Sequence, residues 1–252
     1  MNNQRENELK RYIELSNRSY HENRYVFTDF LTEDQLANLL EHERELAPTG
    51  LRFFPPEKYA THVMVAFGSI ENLGYEEEFP VDLIEVVPKA EKFAENLRHK
   101  DFLGALMHLG IERSAVGDLF VSGKSCVFYC KNTLTRLITD ELTKAHHTPV
   151  IARKVETMPE GFAPTMISGE ATVQSLRLDS IISRIFKISR EEAKKRIQQE
   201  TVAINGRFLP DPSKVPNVGD TLTVRGFGKA EFLGSSGETK RGRLKIHWNL
   251  YS

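Results

Sequence analysis

Basic side chains near the end of the chain have the types and spacing needed to bind phosphate groups. Ser189 and Glu192 have the spacing of a capping box, in which the hydroxyl accepts a backbone N–H of the first helical turn. The sequence therefore predicts a helix that begins at Ser189. Arg190 and Lys194 lie four residues apart beside the apolar stripe of this helix, so packing of the stripe would fix both cations on one side.

A preceding helix is predicted over about 175–187, because apolar residues recur there at helical spacing. It adds three further cations to the same region. The candidate phosphate-contacting residues are Arg177, Arg184, Lys187, Arg190, Lys194, Arg207, Arg225 and Lys229, and Ser189 and Asn205 could add hydrogen bonds.

The charge of the chain is divided unevenly along its length. Residues 1–169 carry 19 basic and 26 acidic side chains, a net charge of minus seven, whereas residues 170–252 carry 15 basic and 9 acidic ones, a net charge of plus six. Phosphate neutralisation with counterion release supplies most nonspecific affinity for nucleic acids. The asymmetry therefore favours contact between the C-terminal part and a polyanion, although an ordinary solvated basic face would give the same composition.

The C-terminal pattern resembles the S-four RNA-binding domain, in which two short helices and a strand present a basic surface to structured RNA. The family usually has Gly after the second helix, where this chain has Glu200, so this helix must close without the residue that most easily adopts a left-handed conformation. The resemblance rests on Arg177-Leu178-Asp179, Ser189-Arg190, Ala193, Ile197, Val202, Ile204, Asn205-Gly206, Gly219-Asp220 and Val224-Arg225-Gly226.

An α+β fold with several domains is predicted from the 252 residues. Residues 1–80 are predicted to be helical and then irregular, residues 81–157 to form a middle domain, residues 158–174 a linker, and residues 175–252 the S-four domain. The middle domain has the order β-α-β-β-α-β of ferredoxin-like and RNA-recognition-motif folds. Its predicted elements are Val81 to Val87, Lys100 to Leu109, Asp118 to Val121, Cys126 to Cys130, Thr133 to Ala145 and Val150 to Val155.

The middle segment contains residues 99–113, which run from His99-Lys100-Asp101 to Ile111-Glu112-Arg113, and then Gly117-Asp118-Leu119. With these residues the segment resembles the bacterial YlmH family. Pro55-Pro56 replaces the Gly-Gly-Tyr expected earlier in the family. The resemblance implies a non-enzymatic protein that binds structured rRNA of the large ribosomal subunit and handles stalled nascent-chain complexes, with tRNA as a further candidate partner. It implies no DNA partner.

Several other chemistries are not supported by the sequence. Gly123-Lys124-Ser125 lacks the earlier glycine of a phosphate-binding loop, which would stand where the chain has Asp118. The histidines show no metal-ligand spacing, so neither a metal nor a cofactor is predicted. Cys126 and Cys130 are predicted to be buried and reduced. Without a predicted membrane span or signal core, we expect a cytoplasmic protein with no membrane partner.

Two alternatives to a non-catalytic RNA-binding protein remain. Pseudouridine synthases use an Arg-Leu-Asp triplet whose Asp is the nucleophile, and Arg177-Leu178-Asp179 has that composition. Here the triplet opens the first helix of the binding module, where Asp179 would complement the helix N-terminus. The other alternative is a cell-division scaffold that acts through protein contacts, since the YlmH family has also been linked to division.

Overall fold

The computed structural model describes residues 2–56, 59–239 and 242–251. They divide into two compact units. The first contains Met1–Thr32 and His42–Ala163, and the second contains Glu33–Glu41 and Pro164–Ser252.

The first unit begins with a long helix and a three-stranded antiparallel sheet in the order β1-β3-β2. The sequence predicted an irregular segment after the first helices, and this prediction was wrong for β3, whose run His-Val-Met-Val-Ala-Phe is almost wholly buried. A continuous apolar run of this length suits the buried central strand of a sheet. The elements are α1 (Asn2–Glu22), β1 (Val26–Thr32), β2 (Leu51–Phe54), β3 (His62–Phe67) and α3 (Ile70–Leu73), with α2 (Glu33–Glu41) inserted after β1.

The rest of the first unit contains strands and helices near the predicted positions, with one additional strand, β7. Its sheet has the strand order β5-β6-β4-β8-β7, and all neighbouring strands are antiparallel. The elements are β4 (Val81–Pro88), α4 (His99–His108), β5 (Val116–Ser122), β6 (Ser125–Lys131), α5 (Thr135–Glu141), β7 (Lys144–Ala145) and β8 (Thr148–Val155).

The second predicted helix of the middle domain is shorter in the structure than in the sequence analysis. It ends at Glu141 rather than Ala145, because β7 turns back and pairs with the start of β8. His146 adopts a left-handed backbone conformation, φ 51°, in the two-residue turn between these strands. A tight hairpin turn thus replaces the last turn of the predicted helix.

One face of this sheet packs on α4 and α5. Successive side chains of a strand point to opposite faces, so Ile84 and Val86 of β4 lie on the same core face as Phe128 of β6. Phe102 of α4 and Ile138 of α5 complete the same core. The opposite face of the sheet is therefore the one left to other contacts.

Within its described residues, the second unit is built on a six-stranded sheet in the order β11-β10-β12-β13-β14-β9, together with three helices. Besides α2, its elements are β9 (Met166–Val173), α6 (Leu178–Ile185), α7 (Arg190–Gln198), β10 (Val202–Ile204), β11 (Arg207–Phe208), β12 (Thr221–Val224), β13 (Gly228–Glu238) and β14 (Leu244–Tyr251).

The predicted linker over 158–174 was wrong for its second half. Residues Met166–Val173 form β9 and pair with β14 along their whole length. Gly169 favours a loop in the sequence-based prediction, but in the structure it pairs with Trp248 of β14. A Cβ atom on Gly169 would lie 2.5 Å from Cε2 of Trp248, so the glycine makes room for the indole ring.

The predicted division at residues 80 and 175 also differs from the compact units. Helix α2, which belongs to the predicted N-terminal region, is part of the second unit. Gly206 shows how closely the two segments approach, because a Cβ atom there would lie 2.2 Å from the carbonyl oxygen of Glu33. Asn205 and Gly206 both have positive φ, 50° and 79°, as a two-residue hairpin turn requires.

Helix α7 ends with a left-handed residue, although that residue is not glycine. Glu200 has φ 54°. The backbone N–H of Thr201 donates to the carbonyl of Arg196 at 3.1 Å, and that of Glu200 to the carbonyl of Ile197 at 3.1 Å. These two bonds form a Schellman motif, which satisfies carbonyl groups at the helix end. The chain therefore closes the helix with the usual hydrogen bonds, at the cost of an unfavourable conformation for a residue with a Cβ atom.

We expect Glu200→Gly to raise the free energy of unfolding by about 0.5–1 kcal/mol, because glycine relieves the left-handed strain while adding some freedom to the unfolded chain. Urea denaturation measures the change. Glu200→Ala is the matched control, since it removes the charge and keeps the Cβ atom. An equal gain from Glu200→Ala would show that charge, rather than backbone conformation, is the cause.

Candidate nucleic-acid interface

Helices α6 and α7 pack together over an apolar seam, which fixes where their basic residues lie. Leu178, Ile181, Ile182 and Ile185 of α6 are buried, as the sequence predicted. Ala193 and Ile197 are likewise buried in α7. Because the apolar faces of the two helices pack together, the charged residues on their other faces lie at the surface.

Three of the predicted cations are exposed to solvent and unpaired in the described part of the chain. Arg184, Lys187 and Lys194 all lie at the surface of the second unit. Within the part of the chain that the structure describes, no side chain forms an ion pair or hydrogen bond with them. Their charges are therefore available to an external anion.

Two other predicted cations share one buried carboxylate. The side chain of Asp179 is fully buried, whereas those of Arg177 and Arg190 are 39% and 40% exposed. Nε of Arg177 lies 3.2 Å from Oδ1 of Asp179, and Nε of Arg190 lies 3.0 Å from Oδ2. Nη2 of Arg190 adds a longer contact of 3.4 Å with Oδ1. The carboxylate thus links the start of α6 to the start of α7.

The two arginines keep Asp179 ionised. Desolvation by burial raises the pKa of this carboxyl, but hydrogen bonds from Arg190 and Arg177 outweigh it and hold the pKa below the ordinary value of 3.8. The first N–H groups of α6 are bonded elsewhere: Leu178 donates to the carbonyl of Lys214 at 2.7 Å and Asp179 to that of Pro212 at 3.2 Å. The expectation that Asp179 mainly complements the helix N-terminus is therefore corrected, because its carboxylate pairs with arginines.

The two polar candidates already make hydrogen bonds within the protein. The hydroxyl of Ser189 accepts the backbone N–H of Glu192 at 3.0 Å, as the capping prediction required. The amide of Asn205 donates to Oδ1 of Asp220 at 2.8 Å and accepts the N–H of Thr221 at 2.8 Å. Both side chains are exposed, but Asn205 chiefly holds its hairpin turn in place.

Aromatic rings accompany two arginines at the β12–β13 end of the second unit. The guanidinium of Arg225, a predicted contact residue, lies 6.0 Å from the ring centroid of Phe208. Arg196 lies 4.5 Å from the centroid of Phe227, whose ring is 42% exposed. Arginine stacked on an exposed ring is a common surface for unpaired bases. The sequence analysis did not single out Arg196 and Phe227, because they meet only when the strands fold.

The remaining two candidates are paired with acidic residues of α2. Nζ of Lys229 lies 2.7 Å from Oε1 of Glu33, and the lysine side chain is only 11% exposed. Arg207 forms an ion pair with Glu41 but stays half exposed. A helix distant in sequence thus supplies the counter-charge of Lys229, and the contact of Lys229 with phosphate stays a prediction.

In the first unit, the sheet face opposite α4 and α5 is covered in part by aromatic residues from β2 and the segment after it. The ring centroid of Tyr129 lies 4.8 Å from that of Phe54, and Phe120 lies 5.9 Å from Tyr59. Phe128 points into the core and is fully buried. Packing within the protein accounts for the positions of these rings.

Asp118 holds the edge of this sheet to β3. Its carboxylate accepts the backbone N–H of Thr61 at 2.6 Å and lies 2.7 Å from Nδ1 of His62. Desolvation by burial raises the pKa of Asp118, but the hydrogen bonds with His62 and Thr61 prevail and lower it. The residue that stands where a phosphate-binding loop would need glycine therefore has a structural role.

Other sites weighed in the sequence are accounted for as follows. Cys126 and Cys130 are free and buried, and burial raises the pKa of the Cys130 thiol to about 12, so this thiol is not reactive at neutral pH. Among the described residues there is no cluster of potential metal ligands. None of their helices is long and apolar enough to cross a membrane.

Comparison with known proteins connects this geometry to a family. Residues 75–158 match the family model "Putative RNA-binding domain in YlmH". The chain is 27% identical over 158 residues to "Ribosome-associated protein quality control protein P2" of Bacillus subtilis, a match that covers 62% of this chain and 61% of that protein. Over these residues the chain is similar to the YlmH family.

Two further similarities concern the S-four domain and the fold. The chain is 44% identical over 62 residues to "Small ribosomal subunit protein uS4" of Solibacter usitatus, a match that covers 23% of this chain and 30% of that protein, and this supports the S-four domain. The structure "Cell division protein ylmH from Streptococcus pneumoniae" has a TM-score of 0.50 and 18% identity, over 60% of this chain and 90% of that one. It shows similarity of fold. Less than two thirds of each curated relative is covered.

We expect Asp179→Asn to lower the free energy of unfolding by about 2–3 kcal/mol at pH 7. Loss of one partner of a buried pair costs about 3–5 kcal/mol, and the cost is smaller here because water reaches both arginines. The pKa of Asp179 is lowered by folding, so its contribution is present above the ordinary value of 3.8 and is lost as the pH falls through the lower folded pKa. The difference between wild type and variant should shrink below about pH 4.

Urea denaturation at pH 7 and pH 3 measures this difference. Asp140→Asn is the control, because Asp140 pairs with Arg136 on an exposed helix face and such pairs contribute about 0–1 kcal/mol. Equal effects of the two substitutions at pH 7 would contradict the importance of the buried carboxylate.

Proposed function

We propose that this protein is a non-catalytic factor that binds structured rRNA of the large ribosomal subunit through α6 and α7, and that it acts on stalled nascent-chain or tRNA complexes in the cytoplasm. The observation that carries the proposal is the open cationic surface formed by Arg184, Lys187 and Lys194. Positive charge that has no partner among the described residues, carried by two packed helices, suits the phosphate backbone of folded RNA.

The relatives support the ribosomal part of this proposal. One is named for ribosome-associated quality control, and another is a ribosomal protein. The family model that matches residues 75–158 is described as a putative RNA-binding domain, which supports this segment as a second contact region. The antiparallel strand order β5-β6-β4-β8 supports an RRM-like arrangement for this segment. Tyr129 and Phe120 contact rings of the same unit, so we expect this region to bind through charge more than through stacking on these rings.

The burial of Asp179 argues against the alternative that the protein is a pseudouridine synthase. A nucleophile must reach its substrate, whereas this carboxylate is fully buried and held by two guanidinium groups. The scaffold alternative has no comparable feature in the described residues to support it. Sedimentation of the tagged protein from a lysate separates the readings: comigration with large subunits supports RNA binding, and a septal pool without RNA supports a scaffold.

A salt titration tests which unit supplies the charge. We expect Arg184→Ala with Lys194→Ala to flatten the dependence of log affinity on log salt by about 2, because each lost phosphate contact changes the slope by about 1. The fold should remain intact, since both side chains are exposed. Circular dichroism checks folding, and binding is measured with purified large subunits.

The matched control is Lys89→Ala with Lys92→Ala, which removes two exposed cations from the first unit. We expect a smaller change in slope for this pair. An unchanged slope for the first variant, or a larger loss for the control, would move the main RNA surface to residues 75–158.

A further inference from the structure

Asp179 places a negative charge beneath a surface that is proposed to bind a polyanion. Its side chain is fully buried, while Arg177 and Arg190 reach solvent above it. A carboxylate next to RNA phosphates should weaken binding by simple repulsion. Its presence at this position therefore requires a reason other than the total charge of the surface.

The hydrogen bonds supply such a reason. Arg177 precedes α6 and Arg190 begins α7, yet both donate to the two oxygens of one carboxylate at 3.2 and 3.0 Å. A free arginine side chain loses rotamer freedom when it binds, whereas one that is already held loses less. A guanidinium has five N–H donors, so donors remain on each arginine after the contacts with Asp179.

We propose that Asp179 is a positioning residue that orients the guanidinium groups of Arg177 and Arg190 toward one stretch of RNA phosphate backbone. This inference rests on the proposed RNA-binding function. It assigns the two arginines a joint role: the carboxylate brings their side chains together, and the phosphates of one strand take the donors that remain.

The proposal predicts a change in affinity opposite in sign to that expected from charge alone. Removing the carboxylate makes the surface more positive, so electrostatics alone predicts tighter binding. If Asp179 positions the arginines, its removal leaves two mobile side chains and binding becomes weaker.

Asp211 provides a matched control. It is an exposed carboxylate whose charge also acts on Arg177, and its Oδ1 accepts from the N–H and the hydroxyl of Ser213. Asp211→Asn is the same chemical change, with the same gain in charge, at a residue that reaches Arg177 only through space. We expect Asp211→Asn to bind RNA as tightly as wild type or up to about threefold tighter.

The experiment compares affinities of the full-length protein for purified large subunits at fixed salt. We expect Asp179→Asn to bind about tenfold more weakly than wild type, which corresponds to the ordering of two long side chains. Arg190→Lys should also weaken binding, by about threefold or more, because the charge is kept while the fork geometry is lost. Thermal melts confirm that each variant is folded at the assay temperature. If Asp179→Asn is not folded, the affinity of Arg190→Lys tests the positioning role instead.

The outcomes separate this inference from the proposed function. If wild type binds and Asp179→Asn binds as tightly as Asp211→Asn or more so, the positioning role is overturned and RNA binding stands. Unchanged affinity for Arg190→Lys likewise overturns it. If wild type itself does not bind large subunits, the proposed function fails, and the inference fails with it.

Discussion

The second unit depends on one electrostatic arrangement, a buried carboxylate held between two arginines. Asp179 joins the residue before α6 to the first residue of α7, so the two helices are tied by ion pairs to arginines whose side chains also reach solvent. A buried charge is tolerated only when its partners are well placed. The geometry that stabilises the helix pair is therefore the same geometry that sets the direction of two basic side chains.

Acidic residues from elsewhere in the chain reduce the basic surface to a smaller area than the composition suggests. Glu33 and Glu41 of α2 pair with Lys229 and Arg207, at the strand end of the second unit. The net charge of plus six counted for residues 170–252 omits this helix, which belongs to the same compact unit. Among the predicted cations, Arg184, Lys187 and Lys194 of the α6–α7 segment keep their charges free of acidic partners in the described residues.

Local patterns in the sequence predicted the helices that carry this surface. The cap at Ser189 and the apolar spacing in α6 and α7 depend on neighbours within a few residues, and the structure confirms them. Long-range pairing could not be predicted in the same way. The sequence of β9 is typical of a loop, and only its pairing with β14, which brings Trp248 opposite Gly169, shows that it is a strand. The sequence likewise suggests that Lys229 is an ordinary surface lysine, and only the structure shows its ion pair with Glu33. Arg190 likewise looks like a free cation, because nothing near it in sequence reveals the carboxylate eleven positions earlier.

The most direct test of the central claim is to identify where RNA touches the intact protein. Ultraviolet cross-linking of the full-length chain to large ribosomal subunits, followed by mass spectrometry of the cross-linked peptides, reads this out without any substitution. The account predicts cross-links within α6, α7 and the turn between them, around Arg184, Lys187 and Lys194. Cross-links confined to residues 75–158, with none in this helix pair, would contradict it.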